Sequence, residues 1–426
     1  MLGRSILLNS RFLSSESTNL DVAIIGGGIV GCSIARQFLI KRPNLKIALF
    51  EKENRLAAHQ SGHNSGVLHQ GMYYKSPLKA KLCVEGVNLA YKYCDEKNIP
   101  YNKCGKLIVA VEPHEIPILD ELYQRGLTNG STGLRMVDSE EIIKIEPNCR
   151  GLKAIWSPET GIVDWGLVTT HFAKDFEAAG GSIHLNHTLT GVNLSKSEEY
   201  PIELTLKGKN SKVNAKYLVT ASGLYADKVA QLTGCSPNLQ IIPFRGEYLK
   251  LKNEKKTLVK TNIYPVPTPG LPFLGVHFTP KMNGDILLGP NAVLSFKREG
   301  YSYFDISLGD LKETLSYKGM QKLVWKYLRF GVDEMYRSIF INQQVKQLQR
   351  FVPSLNVSDV EPGLTGVRAQ ALDLEGNLVD EFIFDTGKGK LADCVLHVVN
   401  APSPGATSSL AIARVVFEKA EKQFKL

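Results

Sequence analysis

Histidine is the side chain best suited to take a proton near neutral pH, and three fall close together in Ala57-Ala-His-Gln-Ser-Gly-His-Asn-Ser-Gly-Val-Leu-His-Gln-Gly-Met-Tyr-Tyr74. They are His59, His63 and His69, set among small and polar residues that suit a backbone wrapped around a ligand rather than a packed core. A fourth, His277, lies in Leu271-Pro-Phe-Leu-Gly-Val-His-Phe278. Arginine's planar fork matches a carboxylate. Arg368, in Gly366-Val-Arg-Ala-Gln370, is the first choice for that task, Arg245 the second and Arg298 a weaker third that reads as a surface charge. Tyr264 can add a further hydrogen bond.

These groups need elements to position them. Val22 to Ile25 is a short apolar run that reads as a buried strand. Gly26, Gly28 and Gly31 follow in G-x-G-x-x-G spacing, and a helical pattern begins at Ile29. Such glycines allow the tight turn, the approach of a pyrophosphate and close packing of helix on strand. Lys46 to Glu51 reads as the next strand, and Glu51, twenty residues beyond Gly31, is placed to accept from a ribose hydroxyl. An adenine dinucleotide site is therefore expected near the start of the chain. Two more glycine-rich junctions, Ala221-Ser-Gly-Leu-Tyr-Ala-Asp227 and Asn400-Ala-Pro-Ser-Pro-Gly-Ala-Thr-Ser-Ser409, open helices after strands. Three grips fit FAD better than NAD. The expected contacts are Gly26, Gly28, Gly31, Glu51, Lys52, His59, Ser61, His63, Asn64, Ser65, Gly66, Ser222, Gly223, Pro404, Gly405, Ala406 and Thr407.

The 426 residues suffice for two domains, and 43% apolar with 22% charged residues suits a globular protein. Seven cysteines without a C-x-x-C pair argue against a disulfide framework or zinc site and favour a reducing compartment. His184-x-x-His187 sits in a strand-like run, where residues three apart face opposite ways, so no metal is expected. The net charge of +9 suits an anionic substrate, an acidic partner or an anionic membrane surface, but no motif for nucleic acid accompanies it. Residues 1–20, with two arginines and one acid, read as a mitochondrial presequence. No run of eighteen apolar residues exists.

Further along, Ser76-Pro77 opens a helix to about Lys97 with Leu78, Leu82, Leu89 and Tyr93 as its buried stripe. Lys106–Val111 is a strand, Glu115–Gly126 a helix, and a β-α-β stretch starts at Gly161 with the helix Trp165–Ala178 and the strand Ser182–His187. Strands are expected at Ile202–Lys207 and Val213–Thr220, and helices from Leu308 to Gln349 with Leu311, Leu315, Leu323, Leu328 and Met335 inward. The expected architecture is α/β: a discontinuous Rossmann-like FAD-binding domain (20–98, 157–235 and 358–426) and a mixed β-sheet substrate domain with helical insertions (99–156 and 236–357).

The chain resembles the D-amino-acid oxidase-like family of FAD-dependent oxidoreductases. The resemblance rests on His59-Gln-Ser-Gly-His-Asn-Ser-Gly-Val-Leu-His69, Leu271–Phe278, Leu288-Gly-Pro-Asn-Ala-Val293, Gly366–Gln370 and Asn400–Ser409, spread over almost the whole chain. It implies tightly bound FAD and oxidation of L-2-hydroxyglutarate to 2-oxoglutarate as metabolite repair in mitochondria, with electrons passing to a carrier or quinone. That chemistry needs a base for the hydroxyl proton and cations for two carboxylates. His69 is placed ahead of His277 as the base, with the other polarising the substrate. Arg368 and Arg245 would hold carboxylates. Leu323-Val-Trp-Lys-Tyr-Leu-Arg-Phe330 mixes aromatic and basic residues that could rest on the inner membrane as a peripheral contact, although ordinary helix packing explains it as well. Two alternatives remain: an amine or amino-acid oxidase of the same fold, and a non-catalytic flavin-binding partner protein.

Overall fold

A computed structural model describes residues 18–208, 211–236, 238–268, 275–326 and 341–426. Residues 1–17 of the expected presequence, Leu271 to Leu274, and the inward positions Leu328 and Met335 lie outside them, as do residues 327–330 of the membrane-contact stretch.

The first strand is Thr18–Ile25, so residues 18–20, expected in the presequence, belong to the fold. It lies at the centre of an eight-stranded sheet, parallel to Ser211–Thr220 on one side and to Ile47–Phe50 on the other. Ser182–His184 continues the parallel set beyond Ile47–Phe50, and Val395–Asn400 joins beside the end of Ser211–Thr220. An antiparallel edge, Thr188–Leu194 and Ile202–Lys207, completes the other side. Strands buried on both faces need helices over them. The helices Ile29–Lys41, Pro77–Lys97, Trp165–Ala178 and Ser409–Phe424 pack one core with the sheet, through Phe38, Phe172, Phe176 and Phe417.

A second sheet of ten strands is mixed. Its longest pair is Leu239–Leu251 against Val360–Asp373, and it also contains Lys106–Ala110, Asn262–Pro265, His277–Pro280 and Ile286–Gly289. The expected domain limits therefore move. Val360–Asp373 and Leu378–Val379 are strands of this second sheet, so the return to the first sheet begins at Ile383, not at 358. The β-α-β reading at Gly161 also changes, because Gly161–Val163 pairs antiparallel with Val67–Leu68 and Tyr101–Asn102 in a small third sheet. Leu78 and Leu315, expected inward, are exposed because their helices turn those positions to the surface.

The expected strand Ser182–His187 ends at His184. Asn186, at φ 60°, then turns the chain, so His184 and His187 share a face instead of opposing one another. Their ring centroids are 5.7 Å apart and both rings pack on Phe50.

The two sheets are tied by buried charge. Arg298, expected at the surface, is 3% exposed and grips Asp227, 1% exposed, through Nη1 and Nη2 at 2.7 and 2.9 Å. Its Nη1 also donates to the carbonyl of Leu224 (2.6 Å). Removing one partner of such a pair strands the other charge. Arg298→Met should lower unfolding free energy by about 3–5 kcal/mol, to be measured by denaturant titration of the flavin-loaded protein.

Candidate active site

A cavity of about 810 Å³ runs between the two main sheets, toward the upper end of the range for small-molecule sites. All three glycine-rich junctions reach it. At Gly26, φ is 111°, and a Cβ there would press into the carbonyl of Ala221. A Cβ on Gly31 would overlap the carbonyl of Gly26, so Gly31 stands behind the cavity and sets how closely helix meets strand. Gly28 caps the helix Ile29–Lys41 in extended conformation with no side-chain cap, and Ser61 Oγ accepts from Ile29 N–H at 2.8 Å. Glu51 is held by the amides of Gly27 (2.6 Å) and Glu53 (2.9 Å). A carboxylate has further lone pairs, so Glu51 can still accept from a ribose.

The other expected cofactor contacts separate into those that face the cavity freely and those with work elsewhere. Lys52, His59, Ser61, His63, Asn64, Ser65, Gly66, Ser222, Gly223, Pro404, Gly405, Ala406 and Thr407 all line it. Lys52, however, is bound by Glu53 (2.6 Å) and by Glu299 of the second sheet's loop (2.7 Å), with His59 Nε2 at 3.1 Å. Glu53, His59 and Glu299 are close enough together to suggest a cation site, and the ammonium of Lys52 is that cation. His63 Nδ1 donates to the carbonyl of Thr365 (3.0 Å), tying the loop to Val360–Asp373. The Asn64 amide bonds within its own loop, to the carbonyls of Gln60 and Ser61, and accepts from Gly66 N–H.

At the other end the chamber becomes basic. His69, His277, Arg368 and Tyr264 all line it, as expected from sequence. His277 is 4% exposed and stacks on Tyr264 with centroids 3.9 Å apart. Its Nδ1 lies 3.0 Å from the Gly275 carbonyl, which can only accept, so Nδ1 carries the proton and Nε2 keeps its lone pair. Burial pushes the His277 ring down to about 3, with Lys106 and Arg368 adding to the effect. Burial also holds His69 well below its usual range, with help from Lys106, His277 and Lys79. Both imidazoles are neutral at pH 7. Burial keeps Tyr248 and Tyr264 protonated, and Tyr248 hydrogen-bonds Ser65 and Arg368.

Arg245 was expected to hold substrate, and the structure places it elsewhere. It does not line the cavity; Nε donates to Glu247 (2.8 Å), Nη1 to the Ser302 carbonyl (2.9 Å), and the guanidinium lies 4.2 Å from the Tyr303 ring. Asn400, at the head of the third glycine-rich junction, also lines the site, and sequence reasoning passed over three further lining residues, Tyr73, Lys79 and Tyr248. Lys79 is 1% exposed and paired to Asp380 at 2.5 Å. A tyrosine pair ending the histidine loop was the available signal for Tyr73; nothing local marked the others.

The family model described as "DAO: FAD dependent oxidoreductase" matches residues 21–419. The chain belongs to this family of FAD-dependent oxidoreductases. A Caenorhabditis elegans protein named mitochondrial L-2-hydroxyglutarate dehydrogenase is 60% identical over 97% of this chain and 96% of its own length. A Homo sapiens protein of the same name is 50% identical, covering 97% and 91%. Among solved structures, L-alpha-glycerophosphate oxidase from Mycoplasma pneumoniae with FAD bound has TM-score 0.74 at 24% identity, covering 96% of this chain and 95% of that one. Glycine oxidase from Geobacillus kaustophilus has TM-score 0.69 at 19% identity, covering 95% of each. For a member of this DAO family the site fits FAD on its own geometry. The glycine backbone approaches closely at Gly26, and the buried Ser222 Oγ, Asn400 Oδ1, His69 Nδ1 and Tyr73 Oη on the cavity wall have no protein partner. Gly31→Val should leave the purified protein nearly colourless, with flavin absorbance per chain reduced at least tenfold, because helix and strand cannot keep their spacing.

Proposed function

We propose that the protein oxidises L-2-hydroxyglutarate to 2-oxoglutarate as a mitochondrial metabolite-repair enzyme. The observation that carries this reading is the charge of the chamber. Arg368, His69 and His277 face one space, and each carboxylate lining the cavity has a partner: Glu51 two amides, Glu299 Lys52, and Asp380 Lys79. Both imidazoles being neutral, the positive charge of the three comes from Arg368, and an anion is the ligand such a space favours. The names of the relatives at 50–60% identity support the same substrate.

When bound, FAD supplies the two-electron acceptor for the C2 hydrogen. Gly26, Gly28, Glu51, Ser222 and the Pro404–Thr407 turn would hold it. The protein's own task is protonic and electrostatic. His69, neutral through burial, takes the hydroxyl proton as C2 becomes a carbonyl. His277, whose Nδ1 proton is fixed on the Gly275 carbonyl, has only a lone pair at Nε2, so it is the second acceptor available to that one proton and not a donor to the hydroxyl oxygen. Arg368 holds the carboxylate beside the reacting carbon, with Tyr248 steadying the guanidinium. Tyr264 fixes the plane of His277 by stacking.

Electrons leave to a carrier or quinone. Peripheral attachment to the inner membrane is part of this proposal, and the exposed side chains of Phe304, Ile306, Leu308 and Trp325 offer apolar surface for it. Among the described residues no helix is long and apolar enough to cross a membrane.

Anaerobic addition of L-2-hydroxyglutarate should bleach the flavin spectrum, while sarcosine, glycine and D-amino acids should not. Bleaching by an amine alone would establish the oxidase alternative, and no bleaching by either would leave the non-catalytic flavin-binding alternative. Arg368→Met should keep its flavin and raise KM for L-2-hydroxyglutarate at least tenfold; unchanged kinetics would remove Arg368 from the site.

A further inference from the structure

We propose that Lys106 makes this chamber select a dicarboxylate, its ammonium answering the second carboxylate from behind the Tyr264–Tyr73 wall. The inference rests on the reading of the substrate given above.

Lys106 opens the strand Lys106–Ala110, yet it is 1% exposed. Its Nζ lies 4.1 Å from the centroid of Tyr264 and 5.5 Å from that of Tyr73, both rings being part of the cavity wall. Ring faces attract a cation but do not neutralise it. Among the described residues no carboxylate pairs with Lys106, whereas Lys52, Lys79, Arg245 and Arg298 each have one. A buried charge without a counter-charge weakens the fold unless a ligand supplies one. Its field reaches the reacting end, where it acts on both His69 and His277.

The groups facing Lys106 are Tyr264 from the neighbouring strand, Tyr73 and His69 from the histidine loop, His277, and the thiols of Cys83 and Cys104. Burial brings the ammonium down to about 7, with the two thiols opposing weakly. In the ligand-free protein Lys106 is therefore charged below pH 7 and neutral above. A dianion placed near it favours the charged form, so binding must take up a proton around neutrality, and affinity must fall as pH rises.

The same geometry separates this role from a structural one. A lysine needed for packing would lose stability on replacement by methionine, which has nearly the same length. A lysine held at a cost for substrate would not.

The test uses flavin-loaded protein and two probes that cannot be oxidised at C2 in the same way, glutarate and butyrate. Calorimetry in buffers of different ionisation enthalpy should show wild type taking up about half a proton per glutarate at pH 7, with Kd rising up to about tenfold per pH unit above that. Lys106→Met should abolish both effects and weaken glutarate at least tenfold, with butyrate unchanged and Tm not lowered. Lys106→Arg should restore glutarate binding without its pH dependence. Wild type that takes up no proton and binds glutarate equally from pH 6 to 9 overturns the proposal, and this holds even if Lys106→Met fails to fold. Equal weakening of both probes in Lys106→Met overturns it too. Failure of L-2-hydroxyglutarate to bleach the flavin would instead strike the substrate reading, since glutarate preference is measured without turnover.

Discussion

The fold depends on a place where no side chain fits. The strands Thr18–Ile25 and Ser211–Thr220 run parallel and end together, so Gly26 meets the carbonyl of Ala221 while Gly31 meets the carbonyl of Gly26. A methyl group on Gly31 would push the helix Ile29–Lys41 off its strand, and one on Gly26 would press into the junction that follows Ser211–Thr220. With that spacing fixed, the helix start, the Glu51 carboxylate and Ser222 all open onto one end of the cavity. The loop 57–66 then has a floor to lie on, and its internal bonds through Asn64, with Lys281 donating to the Asn64 carbonyl, hold its shape. His69 directly follows the short strand Val67–Leu68, its amide held by Thr407 Oγ1 at 3.2 Å. The grip at the far end of the chain thus positions the candidate base.

Charge is distributed by distance from the chemistry. Arg245, Arg298 and Lys52 have acidic partners and serve to join segments; Lys52–Glu299 and Arg298–Asp227 both bridge the two sheets. Among the described residues the acids thin out toward the histidines, leaving Asp380 beside Lys79. Neutral imidazoles follow from this arrangement rather than from any special bond. Removing water and gathering cations both disfavour a protonated ring, so the two effects add at His69 and His277.

What was legible in the sequence was local. G-x-G-x-x-G, an acid twenty residues later and a proline-capped helix each depend on neighbours along the chain, and the structure has them where they were expected. Whether an arginine faces substrate or an acid depends on partners far away in sequence: Arg298 meets Asp227 seventy-one positions earlier, and Arg245 meets a loop at Ser302. The long strand Val360–Asp373 was misassigned for the same reason, since its partner lies more than a hundred residues upstream. His184 and His187 were separated by strand periodicity, and one left-handed residue, Asn186, brought them together. Lys106 gave no signal, because a lysine at the head of an apolar strand ordinarily marks the solvent edge.

The chamber's polarity also weighs between the two oxidoreductase readings. An amine substrate arrives at neutral pH as an ammonium and must lose a proton before it can yield a hydride. Near Arg368, with Lys79 and Lys106 close by, that ammonium would meet like charge, and Asp380, which lines the same cavity, already holds Lys79. The field would help deprotonate the amine, but it would penalise binding first. A hydroxy acid brings only negative charge to the same space, and its hydroxyl proton finds a neutral imidazole. Replacing the amine by a hydroxyl removes that penalty while the carboxylates keep their cations, so a fold shared with glycine oxidase can serve a different substrate through its side chains.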